Sequence, residues 1–498
     1  MSVRGSEWRL GRAGRASVLA VVMVLLSAMP AFATSGATSW GANEQGQLGN
    51  GSTTASDLAG PVSGLGSGVL FVSAGSTHSL ALLTSGSVLA WGENGSGELG
   101  DGAVTGPETC PSGFTTAPCS MTPVAVAGLT KVHAISAGGG MSLALLRDGT
   151  LMSWGSNFAG ALGNGATTDS AVPVAVSTPN RVSAISSDGP HSLALLKTGR
   201  VVAWGDNEYG QLGDGTHTGP ETCPSAGFST VPCSTVPVFV SGLRGVIAIS
   251  AGDDHNLALL KDGTVMAWGV NNDGQLGNSN TPESDVPVPV AGLSGVKAVS
   301  AGGFHSLALL NDGTVMAWGD NGNGQLGSGT TQNSSVPTAV TALSEVTAIS
   351  AGLAHSLAVL GDGTVRSWGW NNEGQLGDGT PKGESTLPVP VLNLAGVAQV
   401  SAGGYHSLAN SPEPIITKVS PKEGSSAGGT TVTITGTNLN RASAVSFGST
   451  SATSFTVNSS TSITAVSPAH APGVVDVRVT TPNATSALTP HDRFKYLP

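Results

Sequence analysis

The chain has few charged residues, few aromatic residues and almost no cysteine. Asp, Glu, Lys and Arg make up 10% of the 498 residues, Phe, Trp and Tyr make up 4%, and four cysteines occur. No H-E-x-x-H motif, no phosphate-binding loop and no nucleophile with a fixed base can be assembled from the sequence. We therefore expect a protein that is not an enzyme and that has no cofactor and no bound metal.

Long apolar segments are also scarce, and the one that stands out lies near the N-terminus. It covers residues 16–29, follows four arginines and precedes Ala31-Phe32-Ala33. A basic region, a short apolar core and an A-x-A site are the parts of a secretory signal peptide, and the run is short for a membrane span. We predict a signal peptide over residues 1–33, cleavage after Ala33, and a secreted or cell-surface chain without a membrane span. An N-terminal anchor helix is the alternative.

Basic residues are in the minority once this segment is removed. The loss of its four arginines and Glu7 leaves 16 Lys and Arg against 30 Asp and Glu. Binding to nucleic acid needs clustered Lys and Arg, and an acidic chain repels a polyanion. The charge balance therefore argues against a nucleic-acid partner and is typical of a soluble exported protein.

Glycine, in contrast, is abundant, with 72 residues that recur at fixed places in a repeated unit. Residues 300–329, SAGGFHSLALLNDGTVMAWGDNGNGQLGSG, show this unit most clearly. Its Trp-Gly pair recurs at intervals of 50 or 51 residues, with two longer intervals of 63 and 64. The seven tryptophans of these pairs are Trp40, Trp91, Trp154, Trp204, Trp268, Trp318 and Trp368. Such a period, with strand-like segments, is typical of a propeller.

Each unit contains four short segments with the composition of strands. VKAVSAG, HSLALL and TVMAWG are rich in β-branched and small apolar residues, and Asp312-Gly313 fits a tight hairpin between the second and the third. A fourth segment, such as Val286–Val290, contains prolines, which cannot donate hydrogen bonds within a sheet and so belong at its edge. Four strands with a proline-marked outer edge predict a propeller blade.

A turn of the AGxxHS type between the first two strands also occurs seven times. Six of these turns carry a histidine, and Met141 takes its place in the remaining one. The histidines are His78, His191, His255, His305, His355 and His406. The first Trp-Gly pair has no such turn before it and the last turn has no Trp-Gly after it, so strands from both ends should share one blade. This arrangement predicts a closed ring of seven blades without exposed sheet edges.

The repeated unit resembles that of the RCC1 family, the regulator of chromosome condensation type of seven-bladed β-propeller, over residues 38–410. Beyond it, PIITKVSPKEGSSAGGTTVTITGTNLNRASAVSFG resembles the IPT/TIG immunoglobulin-like family, which implies a small β-sandwich. The predicted fold class is therefore all-β. It comprises a propeller over residues 34–410, a linker at 411–414 and a sandwich over 415–498.

The four cysteines lie in two matched inserts that lengthen the two long repeats. In GPETCPSGFTTAPCS and GPETCPSAGFSTVPCS, the most economical pairing joins Cys110 to Cys119 and Cys223 to Cys233. Both inserts should form loops between the third and fourth strands. An oxidising compartment favours such local disulfides, whereas a zinc site is disfavoured because close C-x-x-C pairs are missing.

The repeated histidines and tryptophans are interpreted as structural. Each histidine begins a strand in the same context, which predicts a buried imidazole bonded to a neighbouring loop and not a metal or acid–base site. The polar loop residues near Asp206, Asn272 and Asp320 lack the D-x-[DN]-x-[DN]-G spacing of calcium loops. Turn chemistry explains them better.

Antiparallel connectivity places the AGxxH turns, the loops after Trp-Gly and both cysteine inserts on one face of the ring. Aromatic residues at variable positions of that face are candidate partner contacts, because exposed aromatic side chains are enriched at interfaces. They are Phe158, Tyr209, Phe304, Trp370 and Tyr405. The alternative for each is that it folds inward over a neighbouring blade.

The sequence favours a secreted or cell-surface binding protein that engages another protein, or a cell-wall or extracellular glycan, through this face, and we expect a monomer. The family resemblance implies one alternative, guanine-nucleotide exchange on a small GTPase, which is the activity of the founding nuclear members. The export signal and the paired cysteines argue against that role. An extracellular hydrolase is the second alternative.

Overall fold

The computed structural model describes residues 35–112, 115–179, 181–224, 230–279, 283–380, 382–439, 442–481 and 485–498. The predicted signal peptide, with its cleavage site at Ala33, lies outside these residues. Within them, no helix is both long enough and apolar enough to cross a membrane. Their one helical element is a 3-10 turn at Phe158–Gly160, and all the other regular structure is strand.

Residues 35–412 form 30 strands that pair into seven antiparallel blades. The chain begins with β1 (Ser35–Gly41) and β2 (Ser56–Pro61). The first blade consists of β3 (Val69–Ala74), β4 (His78–Leu83), β5 (Val88–Glu93), β6 (Glu108–Ser112) and β7 (Thr115–Ala125), with β6 outside β7. The second consists of β8 (Val132–Ala137), β9 (Met141–Leu146), β10 (Leu151–Gly155) and β11 (Ser170–Ala175). The third consists of β12 (Val182–Asp188), β13 (His191–Leu196), β14 (Val201–Asp206), β15 (Glu221–Pro224) and β16 (Thr230–Phe239), with β15 outside β16.

The remaining blades follow the same plan. The fourth consists of β17 (Val246–Ala251), β18 (His255–Leu260), β19 (Val265–Val270) and β20 (Glu283–Pro289). The fifth consists of β21 (Val296–Ala301), β22 (His305–Leu310), β23 (Val315–Gly319) and β24 (Ser334–Ala339). The sixth consists of β25 (Val346–Ala351), β26 (His355–Leu360), β27 (Val365–Trp370) and β28 (Glu384–Pro390). In the last, β29 (Gln399–Ala402) and β30 (His406–Pro412) join β1 and β2, and one residue pair, Ser35 opposite Val69, links this blade to β3 of the first in a nine-stranded sheet.

Neighbouring strands of a blade alternate in direction, so their connections emerge on two opposite faces of the ring. The loop face carries the turns between first and second strands and the loops between third and fourth strands. The hairpin face carries the tight hairpins between second and third strands and the links from one blade to the next.

The ring is closed by the pairing of β30 with β1, in which Trp40 lies opposite Ser407 and Gly41 opposite His406. At every junction between blades, a serine Oγ on the innermost strand accepts a hydrogen bond of 2.9–3.0 Å from a backbone N–H of the next innermost strand. These serines are Ser73, Ser136, Ser186, Ser250, Ser300, Ser350 and Ser401. The bond from Ala74 to Ser401 completes the circle, so strands from both ends share one blade, as the sequence predicts.

Packing between blades depends on the repeated tryptophans, all of which are 0% exposed. Each Nε1–H donates a hydrogen bond of 2.8–3.0 Å to a backbone carbonyl in a loop of the preceding blade. The acceptors belong to Gln47, Glu98, Ala161, Gln211, Gln275, Gln325 and Gln375. A buried indole with its one donor satisfied both fills the space between two sheets and fixes their relative position.

The C-terminal unit is a sandwich of two sheets. Its strands are β31 (Ile415–Ser420), β32 (Glu423–Ser425), β33 (Thr431–Thr437), β34 (Ala444–Phe447), β35 (Thr450–Ser451), β36 (Ser454–Ser459), β37 (Ser462–Val466), β38 (Gly473–Thr480) and β39 (Arg493–Leu497). One sheet has the order β31-β33-β37-β36 and the other β32-β39-β38-β34-β35. Phe447, Phe494 and Tyr496 pack edge to face between them among buried aliphatic side chains.

The sandwich sits against the hairpin face of the propeller. β30 extends to Pro412, so two of the four residues predicted as linker belong to a strand that leads the chain to that face. There the Asn438 Nδ2 donates a hydrogen bond of 3.0 Å to the Glu413 carbonyl. A pocket of about 220 Å³ has walls from both units, including Gly361 in a propeller hairpin and Ser460 in the sandwich. The loop face is therefore left uncovered by the C-terminal unit.

Candidate binding face

A buried asparagine shapes each loop between the third and fourth strands. Its Oδ1 accepts a hydrogen bond of 2.8–3.0 Å from the N–H of the leucine five residues later. These residues are Asn43, Asn94, Asn157, Asn207, Asn271, Asn321 and Asn371. The asparagine side chain thus supplies a hydrogen bond that the loop backbone does not make for itself. The polar residues near Asp206, Asn272 and Asp320 lie in these asparagine-centred loops, which agrees with turn chemistry.

The repeated histidines join the second strands of neighbouring blades. In five of them Nε2 lies 2.8–3.0 Å from the Oγ of a serine on the next blade. His191 instead lies 2.7 Å from the Oδ1 of Asn256, an atom that can only accept, so its Nε2 carries the proton. The sequence predicted a loop as the partner, and the structure corrects this to a strand. The reason is that the histidine begins a strand whose neighbour in the next blade offers a serine at the following position.

Burial keeps these histidines neutral. It lowers the pKa of His78 and His191 to about 4, and the pKa of His255, His305, His355 and His406 to about 3. All six side chains are 0% exposed. At the seventh place Met141 receives a contact of 3.7 Å from the Oγ of Ser192. The set therefore supports the structure and is not available to solvent.

The cysteine inserts are β-hairpins and not loops, which corrects the sequence prediction. β6 pairs with β7 and β15 with β16, and disulfides join Cys110 to Cys119 and Cys223 to Cys233, as predicted. Each disulfide joins diagonal neighbours, because Cys110 lies opposite Ala117 and Cys223 opposite Val231, and all four cysteines are buried. Phe158 packs against Cys223, Val231 and Cys233, which ties the second hairpin to the second blade.

The five candidate aromatic residues all lie on the loop face but do not form one cluster. Trp370 and Tyr405 touch edge to face, with ring centroids 4.9 Å apart, and both are partly buried. Tyr209 and Phe304 are 36% and 39% exposed. Phe158 is partly buried against the disulfide hairpin. Four of the five side chains are thus at least partly accessible away from that hairpin, and their role in binding stays a prediction.

Charge is divided between the two faces of the propeller. Of the 26 Asp and Glu in residues 35–412, the five on the hairpin face are Asp148, Asp262, Asp312, Glu345 and Asp362, and the other 21 lie on the loop face. Of the ten Lys and Arg, only Lys382 lies on the loop face. The nine on the hairpin face are Lys131, Arg147, Arg181, Lys197, Arg200, Arg244, Lys261, Lys297 and Arg366. Both counts are complete, because every charged residue of this range is described.

Several carboxyl groups of the loop face are held where ionisation is unfavourable. Burial and the charge of Asp253 raise the pKa of Asp254 to about 7, and burial followed by the charge of Asp253 raises that of Asp188. Burial also raises the pKa of Glu98 to about 7. No described ion pair involves these four residues. A cation that approaches these buried carboxyl groups would favour their ionised form and lower their pKa values.

An irregular position between the second and third blades opens a pocket on this face. Six of the seven loops carry Gln or Glu before the Leu-Gly pair, and its side-chain oxygen accepts a hydrogen bond of 2.8–3.0 Å from the N–H two residues earlier. In the second blade this residue is Ala161. The truncated side chain leaves a pocket of about 200 Å³. Its walls are Gly139, Gly140, Met141, Ser156, Phe158, Ala161, Gly189 and Pro190.

One group of three metal-ligand side chains lies close together among the described residues. Its members, Glu221, Cys223 and Cys233, have ligand atoms within 4.8 Å of one another. The two sulfurs are bonded to each other and offer no thiolate. The geometry at this place is that of a disulfide.

The sequence profile of the RCC1-like domain matches residues 36–409, and that of the IPT/TIG domain matches residues 414–496. The chain belongs to the RCC1-like family. The all-β fold predicted from the repeat is thereby confirmed, as is the second domain type.

RCC1-like relatives cover this chain to different extents. The human probable E3 ubiquitin-protein ligase HERC6 is 32% identical over 245 residues, which are 48% of this chain and 22% of that protein. The protein RCC2 homolog of Danio rerio is 44% identical over 68 residues, or 14% of each chain. The chain thus spans less than a quarter of the length of these curated relatives.

Solved RCC1-like structures align over more of the ring. Yeast RCC1 (Prp20), crystallised with Kap60, gives a TM-score of 0.65 at 22% identity over 82% of this chain and 96% of that chain. Human WBSCR16 gives 0.62 at 21% identity over 75% of this chain and 99% of that chain. At such identities the likeness establishes the fold alone.

Two features of the RCC1-like loop face were missed in the sequence analysis although their signals are present. The alanine at position 161 departs from Gln or Glu at the six equivalent positions. The separation of charge becomes visible once each charged residue is assigned to a turn, a loop or a hairpin. Both signals concern positions where the repeat varies, as the aromatic and cysteine positions do.

Proposed function

We propose that this chain is a secreted, non-enzymatic binding protein that engages a partner protein with a basic surface through its loop face. The observation that carries the proposal is the separation of charge, with 21 carboxyl side chains and one lysine on the face that the sandwich leaves open. Loops on a rigid scaffold are the usual place of binding in repeat proteins. In this proposal the sandwich is a spacer at the opposite face.

The physical basis is electrostatic. A face of one sign attracts a partner of the other sign over a range set by the Debye length, and so raises the association rate. The same field repels acidic partners, which argues against nucleic acid and against acidic glycans. Tyr209 and Phe304, both exposed, supply apolar area within the charged surface. A protein with a basic patch therefore fits this face better than an acidic glycan does.

Export is supported by two features and stays part of the proposal. The first 33 residues have the organisation of a signal peptide. The two disulfides are of the kind that persists in oxidising compartments. N-terminal sequencing of the protein recovered from the host's extracellular fraction should begin at Thr34, and recovery of the full chain from the cytosol would contradict export.

The binding proposal is tested by affinity capture with the mature chain as bait at low and at physiological salt. A loop-face variant with Glu208→Gln and Asp254→Asn should lose captured protein, and capture should fall as salt rises. Glu345→Gln, on the hairpin face, is the matched control and should bind like the wild type. Trp370→Ala and Tyr405→Ala report on the aromatic pair. Binding that is indifferent to both loop-face charges and salt would refute the proposal.

Guanine-nucleotide exchange is the alternative that RCC1-like membership keeps open. It predicts accelerated nucleotide release from a small GTPase in the presence of the mature chain. We propose in addition that the chain is monomeric, which light scattering on the purified protein tests directly.

A further inference from the structure

We propose that the pocket at Ala161, between the second and third blades, is the anchor site for a lysine side chain of the partner protein. The inference rests on the proposed function, because it assumes that the loop face binds a protein. It specifies one contact of that complex, a lysine side chain, and places this contact on the loop face between the second and third blades.

The pocket lies where the repeated structure elsewhere has a Gln or Glu side chain and this blade has Ala161. Six equivalent loops fill the same place with the Gln or Glu side chain of their own chain, for example Gln211, whose Nε2 lies 3.3 Å from the Oδ1 of Asp254 on the next blade. The blades on either side of Ala161 are spaced by the same tryptophan contact as elsewhere, since Trp204 donates to the Ala161 carbonyl at 2.8 Å. An extended side chain from outside therefore meets a cavity whose walls are held by the ring and do not collapse on it.

The walls match the stem of a lysine. Met141, Phe158 and Pro190 line the pocket with apolar surface, and Gly139, Gly140 and Gly189 contribute backbone. Met141 is 1% exposed and held in a strand, and Phe158 is fixed against the second disulfide hairpin. Methylene groups that enter such a pocket gain from burial, while a terminal charge needs polar partners at the end of the pocket or at its mouth.

Carboxyl groups flank the glycines that line the pocket. The Glu98 Oε1 lies 3.8 Å from the position that a Cβ on Gly140 would take, and Glu98 itself is 4% exposed. The Asp188 Oδ1 accepts a hydrogen bond of 3.0 Å from the N–H of Gly189. The loop-face lysine of the propeller, Lys382, lies in the loop between β27 and β28 of the sixth blade, away from these carboxyls of the first and third blades. An ammonium group near these two carboxyls favours their ionised form and pairs with it, whereas a carboxylate disfavours ionisation further and an uncharged stem has no such effect.

The test uses the mature chain with ¹³C-labelled methionine methyl groups and N-acetyl-L-lysine amide as the probe. Met141 lies in the pocket wall, and Met266 and Met316, on third strands away from the loop face, are internal references. We expect a saturable shift of the Met141 methyl signal with no shift of the references. N-acetyl-norleucine amide, which has the stem without the ammonium, should bind about tenfold more weakly.

The matched variant is Ala161→Gln, which introduces the side chain that five equivalent positions already carry and so keeps the fold. It should abolish the response of Met141 to the lysine probe and leave thermal unfolding unchanged or raised. Equal affinity for norleucine and lysine amides, or a response that survives in Ala161→Gln, would overturn the assignment. An arginine amide that binds more tightly than the lysine amide would also overturn it, since the proposal commits to lysine.

Failure of this inference can be told apart from failure of the proposed function. If Ala161→Gln captures the partner protein as well as the wild type does, the loop face binds but the pocket is not its anchor. If the lysine probe binds while no protein is captured in a charge-dependent way, the pocket is real and the proposed function is wrong.

Discussion

The Nε2 of His255 lies 2.8 Å from the Oγ of Ser306 on the next blade. Ser306 donates in turn to the Gln275 carbonyl at 2.9 Å, and the same carbonyl accepts the Nε1–H of Trp318 at 2.8 Å. The Gln275 carbonyl oxygen thus accepts hydrogen bonds from Ser306 and Trp318. His255 on the preceding blade extends this network through its contact with Ser306. The relationship recurs around the ring with small variations, and it makes stability sensitive to protonation.

The first prediction concerns pH. Because burial lowers the folded-state pKa of the six histidines to about 3 or 4, below the ordinary value of 6.5, the unfolded chain binds more protons than the folded one below pH 6.5. Their stabilisation is complete above that pH and is lost as pH falls toward 3, by about 1.4 kcal/mol per pH unit for each imidazole.

Carboxyls with raised pKa, such as Asp254 and Glu98, act in the opposite sense between about pH 7 and 4. Below pH 4 that opposition ends. Because six imidazoles outnumber these two carboxyls, we expect the unfolding free energy to fall clearly as pH is lowered from about 6.5 to 4 and to go on falling to about pH 3, measured by urea titration at a series of pH values. A histidine ring that titrates near 6.5 in the folded protein by NMR would contradict the burial on which this depends.

The second prediction tests the chain of hydrogen bonds. Ser306→Ala removes the acceptor of His255 and leaves a buried N–H without a partner, which should cost about 1–3 kcal/mol of unfolding free energy. Ser192→Ala is the comparison variant, because the Oγ of Ser192 contacts the thioether of Met141 on the preceding blade at 3.7 Å, where Ser306 contacts a histidine. The comparison variant should cost clearly less in the same chemical denaturation experiment. Equal losses would contradict a stabilising contribution from the contact between Ser306 and His255.

The third prediction concerns close approach of backbone to tryptophan. Gly327 has φ +65°, and a Cβ there would lie 2.9 Å from the Trp368 Nε1 and 2.8 Å from a Val340 methyl group. Gly327→Ala should therefore lower the unfolding free energy by about 1–3 kcal/mol. Gly322→Ala in the same loop meets only a carboxyl oxygen at 3.5 Å and should be tolerated. The comparison is made by thermal unfolding of the two variants.

The fourth prediction separates the two disulfides. Replacing Cys223 and Cys233 together by alanine should lower stability by about 2–3 kcal/mol in the chain-entropy account, and it should also shift the Met141 methyl signal because Phe158 rests on that hairpin. The same replacement at Cys110 and Cys119 should lower stability similarly without moving that signal. A shift in both variants would mean that the pocket wall is not held locally.

Much of the fold follows from the sequence because the repeat is redundant. Seven Trp-Gly pairs and seven turns define the same seven blades independently. The blade shared by both ends follows because the first Trp-Gly pair has no turn before it and the last turn has no Trp-Gly pair after it. The structure of the two cysteine inserts was harder to predict. Their Pro and Gly residues indicate a loop, whereas in the structure the residues around each disulfide pair as strands beside the fourth strand of the blade. The pocket exists because Ala161 lacks the long side chain found at the six equivalent positions. This difference is recognised only when Ala161 is compared with the Gln or Glu of the other six loops.

The pairing of β1 with β30 also sets an order of events. Synthesis supplies β1 early, yet its partner strand ends at Pro412, after six complete blades have been made. Until then β1 has no neighbour on one side, and the innermost serine contacts cannot form a circle. A ribosome or a secretion channel that still holds the last blade therefore keeps the ring open, and release of that final strand is the step that turns a curved stack of sheets into a closed disc.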